Sequence, residues 1–277
     1  MHAGALGPRG QRIWILAGTG EGPPLASTLL KRGWRVRVSV VSAAAGRAYD
    51  AAAGLELAVG SIGDGAAVAQ ALEQCALAGT SPSWVVDATH PFASRISADL
   101  AEACRLRRQP LLRLHRPQLP AGRAILLPQL TDLQTLPLAG RRLLLAIGAR
   151  QLARAVGHSA TACHHARILP NATALAQAMA AGLAADRLAC LRPSLEGQIE
   201  AALCRRWRIE VVLCRRSGGW GEQLWHQLAA ALDLQLLLLD RPAEPAAVEC
   251  LAWQQLLDRL GAPEWQLPGG GADGRSQ

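Results

Sequence analysis

Two short runs hold side chains whose types and spacing could do chemistry. The first, Asp87-Ala88-Thr89-His90-Pro91-Phe92-Ala93, gathers a carboxylate, a hydroxyl, an imidazole, a rigid proline and the chain's single phenylalanine. In a loop such groups are costly unless they bind a ligand or cap the next helix, and capping is the plainer role for Thr89 or Ser94. The second run, Gly18-Thr19-Gly20-Glu21-Gly22-Pro23-Pro24, has glycines that let a phosphate reach the backbone at a helix N-terminus. Its prolines suit a first helical turn, where their missing N–H groups are not needed. The match to G-x-G-x-x-G is incomplete, because Pro23 stands in the third glycine position. Farther on, Ser42, Gly46 and Arg47 follow an alternating apolar segment. An NAD-binding fold usually places a carboxylate there for the ribose 2′-hydroxyl. Ser42 and Arg47 suit a 2′-phosphate instead, so a dinucleotide bound here would be NADPH rather than NADH. The plain alternatives are a tight turn and a solvated arginine.

Composition removes other chemistries. The 277 residues include 29 Lys and Arg against 21 Asp and Glu, a net charge of +8, and Lys31 is the only lysine. A P-loop or Schiff-base lysine could only be Lys31, which stands before Arg32 and Gly33 in no phosphate-loop pattern. With Tyr49 the only tyrosine, the Tyr-x-x-x-Lys pair of short-chain dehydrogenases cannot be written. The arginines are scattered with no aromatic platform among them, which argues against nucleic acid; a polyanionic small molecule suits the same charge. The seven cysteines form no C-x-x-C, and an odd count without a signal segment fits reduced thiols in a cytoplasm. Most read as small buried hydrophobes. His164 and His165, adjacent on a predicted strand, point to opposite faces and cannot share a metal; no metal site is expected. No apolar run reaches the roughly 20 residues of a membrane span. The glycine-rich segment 1–11 reads as a disordered leader and residues 263–277 as a disordered tail.

These loops need a scaffold, and the hydrophobic pattern supplies one. Predicted strands at 12–17, 35–41, 55–59, 84–88 and 111–114 alternate with helices at 25–32, 66–76 and 96–107. Proline and glycine accumulate over 117–140, and the pattern restarts. Strands at 142–147, 162–169, 187–191, 210–214 and 235–239 alternate with helices at 149–156, 172–181, 195–206 and 221–232. Such alternation predicts an α/β fold of two Rossmann-like domains, each a parallel sheet flanked by helices. The expected boundaries are 12–117 for a cofactor domain, 118–140 for a linker and 141–262 for a second domain.

The order of segments then resembles a known family. A strand followed by GTGE, Ser42 with Ala45-Gly46-Arg47, Val85 to Ala93 (VVDATHPFA), Ile96-Ser97 and Leu112 to Pro117 (LRLHRP) resemble the precorrin-6A and cobalt-precorrin-6A reductases of cobalamin biosynthesis. The second half agrees more loosely, through Ile147-Gly148-Ala149-Arg150, Arg192-Pro193, Ser217-Gly218-Gly219 and Asp240-Arg241-Pro242. The resemblance implies NADPH on the first domain and a tetrapyrrole, precorrin-6A or its cobalt form, in a cleft between the domains. Hydride passes to the macrocycle and a proton completes reduction of one unsaturated CH–CH unit. On this reading Gly18, Thr19, Gly20 and Glu21 meet the cofactor phosphates, Ser42, Gly46 and Arg47 the 2′-phosphate, and Thr89 the cofactor near the reaction centre. Asp87 and His90 are the catalytic candidates for proton delivery, with solvent or a role in orienting the cofactor amide as alternatives. Arg113, Arg150, Arg215, Arg216, Ser217, Gly218 and Gly219 are expected to bind the substrate, and the chain is expected to be a monomer. The family commonly has Lys-Asp before Ser-Gly-Gly where this chain has Arg215-Arg216. Losing that carboxylate leaves room for a catalytically silent NADP(H) sensor or scaffold as the rival reading.

Overall fold

Strands buried on both faces read as continuous apolar runs rather than as alternation, and the central strands here do so. In the computed structural model, which describes residues 10–60, 62–194 and 196–261, β1 (Arg12–Ala17) is buried from Ile13 onward. The first half continues through α1 (Gly22–Lys31), β2 (Arg35–Val40), α2 (Ala43–Gly46), β3 (Leu55–Val59), α3 (Gly65–Leu77), β4 (Trp84–Ala88), α4 (Ser94–Leu106) and β5 (Leu111–Leu114). Then follow β6 (Ile125–Leu127), β7 (Arg142–Ala146), α5 (Leu152–His158), β8 (Cys163–Ile168), α6 (Ala172–Ala180), β9 (Leu188–Cys190), α7 (Gln198–Arg206), β10 (Val211–Arg215), α8 (Trp220–Leu232) and β11 (Gln235–Leu239). The described chain ends with β12 (Glu249–Leu251) and α9 (Trp253–Gly261).

The strands form two six-stranded sheets, ordered β12-β5-β4-β1-β2-β3 and β6-β11-β10-β7-β8-β9. Every pairing is parallel. Counted from β1 or from β7, both orders are the doubly wound one, 3-2-1-4-5-6 read from the far edge. The sixth strand of each is the exception to local order. β6 follows β5 in the chain but joins the second sheet beside β11, with Leu237 opposite Ile125. β12 follows β11 but joins the first sheet beside β5, with Cys250 opposite Arg113. The halves have exchanged their edge strands.

Two expected boundaries are corrected by this exchange. The compact units are residues 1–115 with 243–277, and residues 116–242. Residues 243–261 therefore complete the first unit, where α9 buries Leu256, Leu257 and Leu260 in the core of β1, β2 and α1. The Arg32 guanidinium fixes α9 by donating to the Leu257 carbonyl at 2.5 Å. The segment 118–140 is no bare linker, since it contributes β6 and a 3-10 helix at Leu130–Thr135 whose Leu130 and Leu133 are buried. The expected leader and tail fall largely on residues 1–9 and 262–277, outside the described residues.

Local chemistry explains the helix limits. α3 starts where Asp64 accepts the Ala67 N–H and α6 where Asn171 accepts the Ala174 N–H, each a side-chain cap worth about 1 kcal/mol. On α3 the buried Val68, Leu72 and Cys75 recur every three or four residues, so one stripe faces the first sheet. Trp14 can be fully buried in that layer because its indole N–H finds the Ser39 hydroxyl at 2.9 Å. Among the described residues no helix is long and apolar enough to cross a membrane.

Candidate active site

In a doubly wound sheet, ligands bind beyond the carboxyl ends of the strands where the order reverses. In the first unit that point lies between β1 and β4, so the loops after Ala17 and after Ala88 must meet there. They do: the Thr19 hydroxyl donates to the Ala88 carbonyl at 3.4 Å, and a Cβ on Gly18 would sit 3.7 Å from the His90 nitrogen. The two runs singled out by their chemistry are thus one site.

The glycine loop departs from the usual phosphate cradle. α1 begins at Gly22 with Pro23 and Pro24 in its first turn, and Gly22 donates to the Thr19 carbonyl at 3.2 Å. The first turn therefore retains its dipole but offers a phosphate no N–H of its own. Donors must come from the loop, Gly18 to Glu21. Close packing of helix on strand, normally the task of the third glycine, falls to Gly22. A Cβ there would overlap the Tyr49 hydroxyl and come within 2.9 Å of Ala17. Burial of Tyr49 in this contact pushes its pKa up to about 12. The sequence reading missed Gly22 by holding to the spacing of the fingerprint; its position directly before two helix-starting prolines was the signal.

Asp87 and Arg113, expected as catalytic and substrate-binding residues, lie together in the interior. Each is 2% exposed, and they pair directly through Oδ2 and Nη1. The Arg113 Nε meets Glu244 from the returning segment, and its Nη1 also reaches the Ser97 hydroxyl at 2.7 Å. Burial works against the Arg113 charge, but the carboxylates of Asp87 and Glu244 outweigh it and raise the pKa further. The other oxygen of Asp87 accepts the Thr89 N–H at 3.0 Å, and the hydroxyls of Thr89 and Ser97 lie 3.2 Å apart. This network fixes the start of the Thr89–Phe92 loop, and Thr89 has a local partner rather than an open hydroxyl. Glu244 was invisible to sequence reasoning: it lies 131 positions from Arg113, in a stretch assigned to the other domain.

His90 is half-buried, and its Nδ1 accepts the Phe92 N–H at 3.1 Å. That bond fixes the neutral ring as the Nε2–H tautomer, leaving Nε2 as a donor. At the end of β2, Ser42 caps α2 by accepting the Ala45 N–H at 3.2 Å, and it is exposed, as is Arg47. Among the described residues Arg47 makes no ion pair. Gly46, expected at the cofactor, is buried, and a Cβ there would press on Leu57 and Val59 of β3 at 3.1 and 3.3 Å.

The second unit repeats the topology with different chemistry. Its reversal point lies between β7 and β10. Gly148, at φ +81°, opens space for the Arg215 guanidinium, which a Cβ would meet at 3.2 Å. Burial first, and then the neighbouring charge of Arg150, lower the Arg215 pKa to about 10. Two guanidiniums thus converge on one loop pair. Arg216 pairs with Asp240 at 3.4 Å. Ser217 is buried, and Gly218 gives its N–H to the buried Glu222 at 2.6 Å. Gly219 begins α8. Ser217, Gly218 and Gly219, expected at the substrate, thus form a tight loop at the start of α8. The guanidinium of Arg241 ties this loop down, donating to the carbonyls of Arg216, Arg116 and Pro117 at 2.8, 2.6 and 3.1 Å. His164 and His165 do face opposite ways, one to the Ser159 hydroxyl at 2.9 Å and the other to the Trp207 ring at 5.0 Å.

The comparisons with known proteins point to one family. Residues 12–260 match the family model described as precorrin-6x reductase CbiJ/CobK. A cobalt-precorrin-6A reductase of Synechocystis sp. is 33% identical over 83% of this chain and 88% of its own length. A precorrin-6A reductase of Rhodococcus erythropolis is 32% identical over 90% of this chain and 99% of its own. Among solved structures, a CobK precorrin-6A reductase superposes with a TM-score of 0.69 at 28% identity, covering 90% of this chain and 96% of that one.

Proposed function

The chain belongs to the precorrin-6x reductase family and is an oxidoreductase of cobalamin biosynthesis, and from that premise we propose that it reduces precorrin-6A or its cobalt form with NADPH. The observation that carries the choice of cofactor is Arg47. It stands exposed beside Ser42 at the end of β2, where a carboxylate would mark an NAD site. A bound nicotinamide supplies a hydride to one unsaturated unit of the macrocycle, and a proton balances the reduction.

The chain's own residues have distinct duties in this reading. Backbone N–H groups of Gly18, Thr19, Gly20 and Glu21 hold the diphosphate in place of the donors α1 lacks. Ser42 and Arg47 hold the 2′-phosphate. Asp87 and Arg113 keep the Thr89–Phe92 loop in register, and His90 presents its Nε2–H to the reacting edge, where it donates the proton or orients the amide. Arg150 and Arg215 meet substrate carboxylates through charge-assisted hydrogen bonds.

The test is oxidation of the cofactor, followed at about 340 nm, with precorrin-6A and cobalt-precorrin-6A. Turnover with at least one is expected; a folded protein that binds NADPH and turns over neither would sink the proposal. Arg47→Ala should weaken NADPH by about 10–100-fold and leave NADH unchanged, as expected for losing one charge-assisted phosphate contact. Equal losses for both cofactors would show that Arg47 does not read the 2′-phosphate.

A further inference from the structure

The amino-terminal end of the first sheet carries a second concentration of charge, far along β1 and β2 from the loops described above. Arg12 opens β1 and Arg35 opens β2, and they stand directly opposite one another in the parallel register. Two residues on, Trp14 and Arg37 repeat the pairing on the same face. These side chains line a cavity of about 360 Å³ whose further walls include Glu56 and Cys75.

The charges in it do not balance. Arg37 is accounted for: its Nε lies 3.3 Å from Glu56, its Nη1 donates to the Cys75 sulfur at 3.1 Å, and its guanidinium lies 5.4 Å from the Trp14 ring centroid. Arg12 and Arg35 have no such arrangement. Among the described residues neither makes an ion pair. Three arginines and one carboxylate therefore line one hollow, and that carboxylate is already paired with Arg37. Like charges directly across a strand pair repel, and Cys75 of α3 forms part of the wall of the hollow. The planar fork of arginine matches phosphate oxygens two at a time.

We propose that this cavity is an anion site for a small phosphate-bearing ligand, gripped by Arg12 and Arg35 with Arg37 held ready behind them by Trp14, Glu56 and Cys75. The site lies at the opposite ends of β1 and β2 from the reductase loops and is independent of the proposed reaction. A ligand there would brace the same two strands whose far ends carry Gly18 and Ser42.

Isothermal titration of inorganic pyrophosphate into the full chain, with NADP+ saturating so that any dinucleotide site is filled, tests it without requiring turnover. Wild-type protein should bind, and R12Q/R35Q should bind at least ten-fold more weakly. Arg35 is exposed and both residues begin strands, so the variant should fold; its melting curve without pyrophosphate checks this. The single variant R35E, which places a carboxylate in the hollow, should abolish binding if the double variant melts early. Equal affinity in a folded variant, or no pyrophosphate binding by wild type, would overturn the proposal.

Discussion

Arg113 and Arg215 invite comparison: each is an arginine in a strand near the carboxyl end of one of two sheets with the same strand order, and the two have opposite surroundings. Arg113 is enclosed by the carboxylates of Asp87 and Glu244, which raise its pKa. Arg215 is buried beside Arg150, and both burial and that neighbour lower its pKa. The first unit spends its buried charge on the fold, holding still the loop that carries His90. In the second, burial and the neighbouring charge of Arg150 both act against the Arg215 guanidinium. One scaffold serves opposite ends, and the difference lies in which side chains the neighbouring strands deliver.

The largest effect expected from this difference is on stability of the first unit. Arg113→Ala leaves Asp87 buried without its partner, and should cost about 3–5 kcal/mol in urea unfolding. A loss near zero would show the network to be dispensable and erase the contrast. Gly22→Ala comes next. The added methyl overlaps Tyr49 and must move α1, so about 1–3 kcal/mol of stability and a clear loss of NADPH affinity by titration are expected together. Arg215→Gln should do the reverse of Arg113→Ala. Its melting temperature should hold or rise, while KM for the tetrapyrrole rises about ten-fold, equivalent to about 1.4 kcal/mol. A fall in stability as large as that of Arg113→Ala would make the two arginines alike.

The smallest effect is a pH dependence confined to the second unit. Burial lowers the pKa of both His164 and His165 from the ordinary 6.5. The unfolded chain then binds more protons near and below that pH, so stability present above 6.5 is lost as pH falls through the folded values. The melting temperature of His164→Asn/His165→Phe should therefore decline less steeply on acidification than that of the wild type. Parallel slopes would assign the loss to other groups.

What could be read beforehand followed the range of the interactions involved. The strands 12–17, 84–88 and 111–114 match their expected bounds to the residue, because burial on both faces writes itself into consecutive apolar side chains. Short edge strands carry no such record. Ile125–Leu127 and Glu249–Leu251 are three residues each, and nothing local says which sheet they join. The loop of Asp87, Thr89 and His90 stood out as a candidate site because polar groups at a strand end are costly. Its division of labour was not. Arg113 in Leu-Leu-Arg-Leu looks like a side chain reaching for a ligand until Glu244 arrives from the far end of the chain. Gly22 and Gly46 likewise belong to contacts with Tyr49 and with β3 that only the tertiary structure brings together.

The exchange of edge strands sets the order in which a ribosome can finish the molecule. Every strand of the second sheet has emerged once residue 239 is made, whereas the first sheet, begun at residue 12, still lacks β12. Glu244 and α9, which complete the Arg113 network and the core over α1, are also still to come. At about 5–20 residues per second, the interval between the end of β5 and the arrival of α9 is roughly 7–30 s. During that time the first unit has five strands with an unpaired edge at β5. The half started first is therefore completed last, and the second unit is the earlier one to have all its strands synthesised.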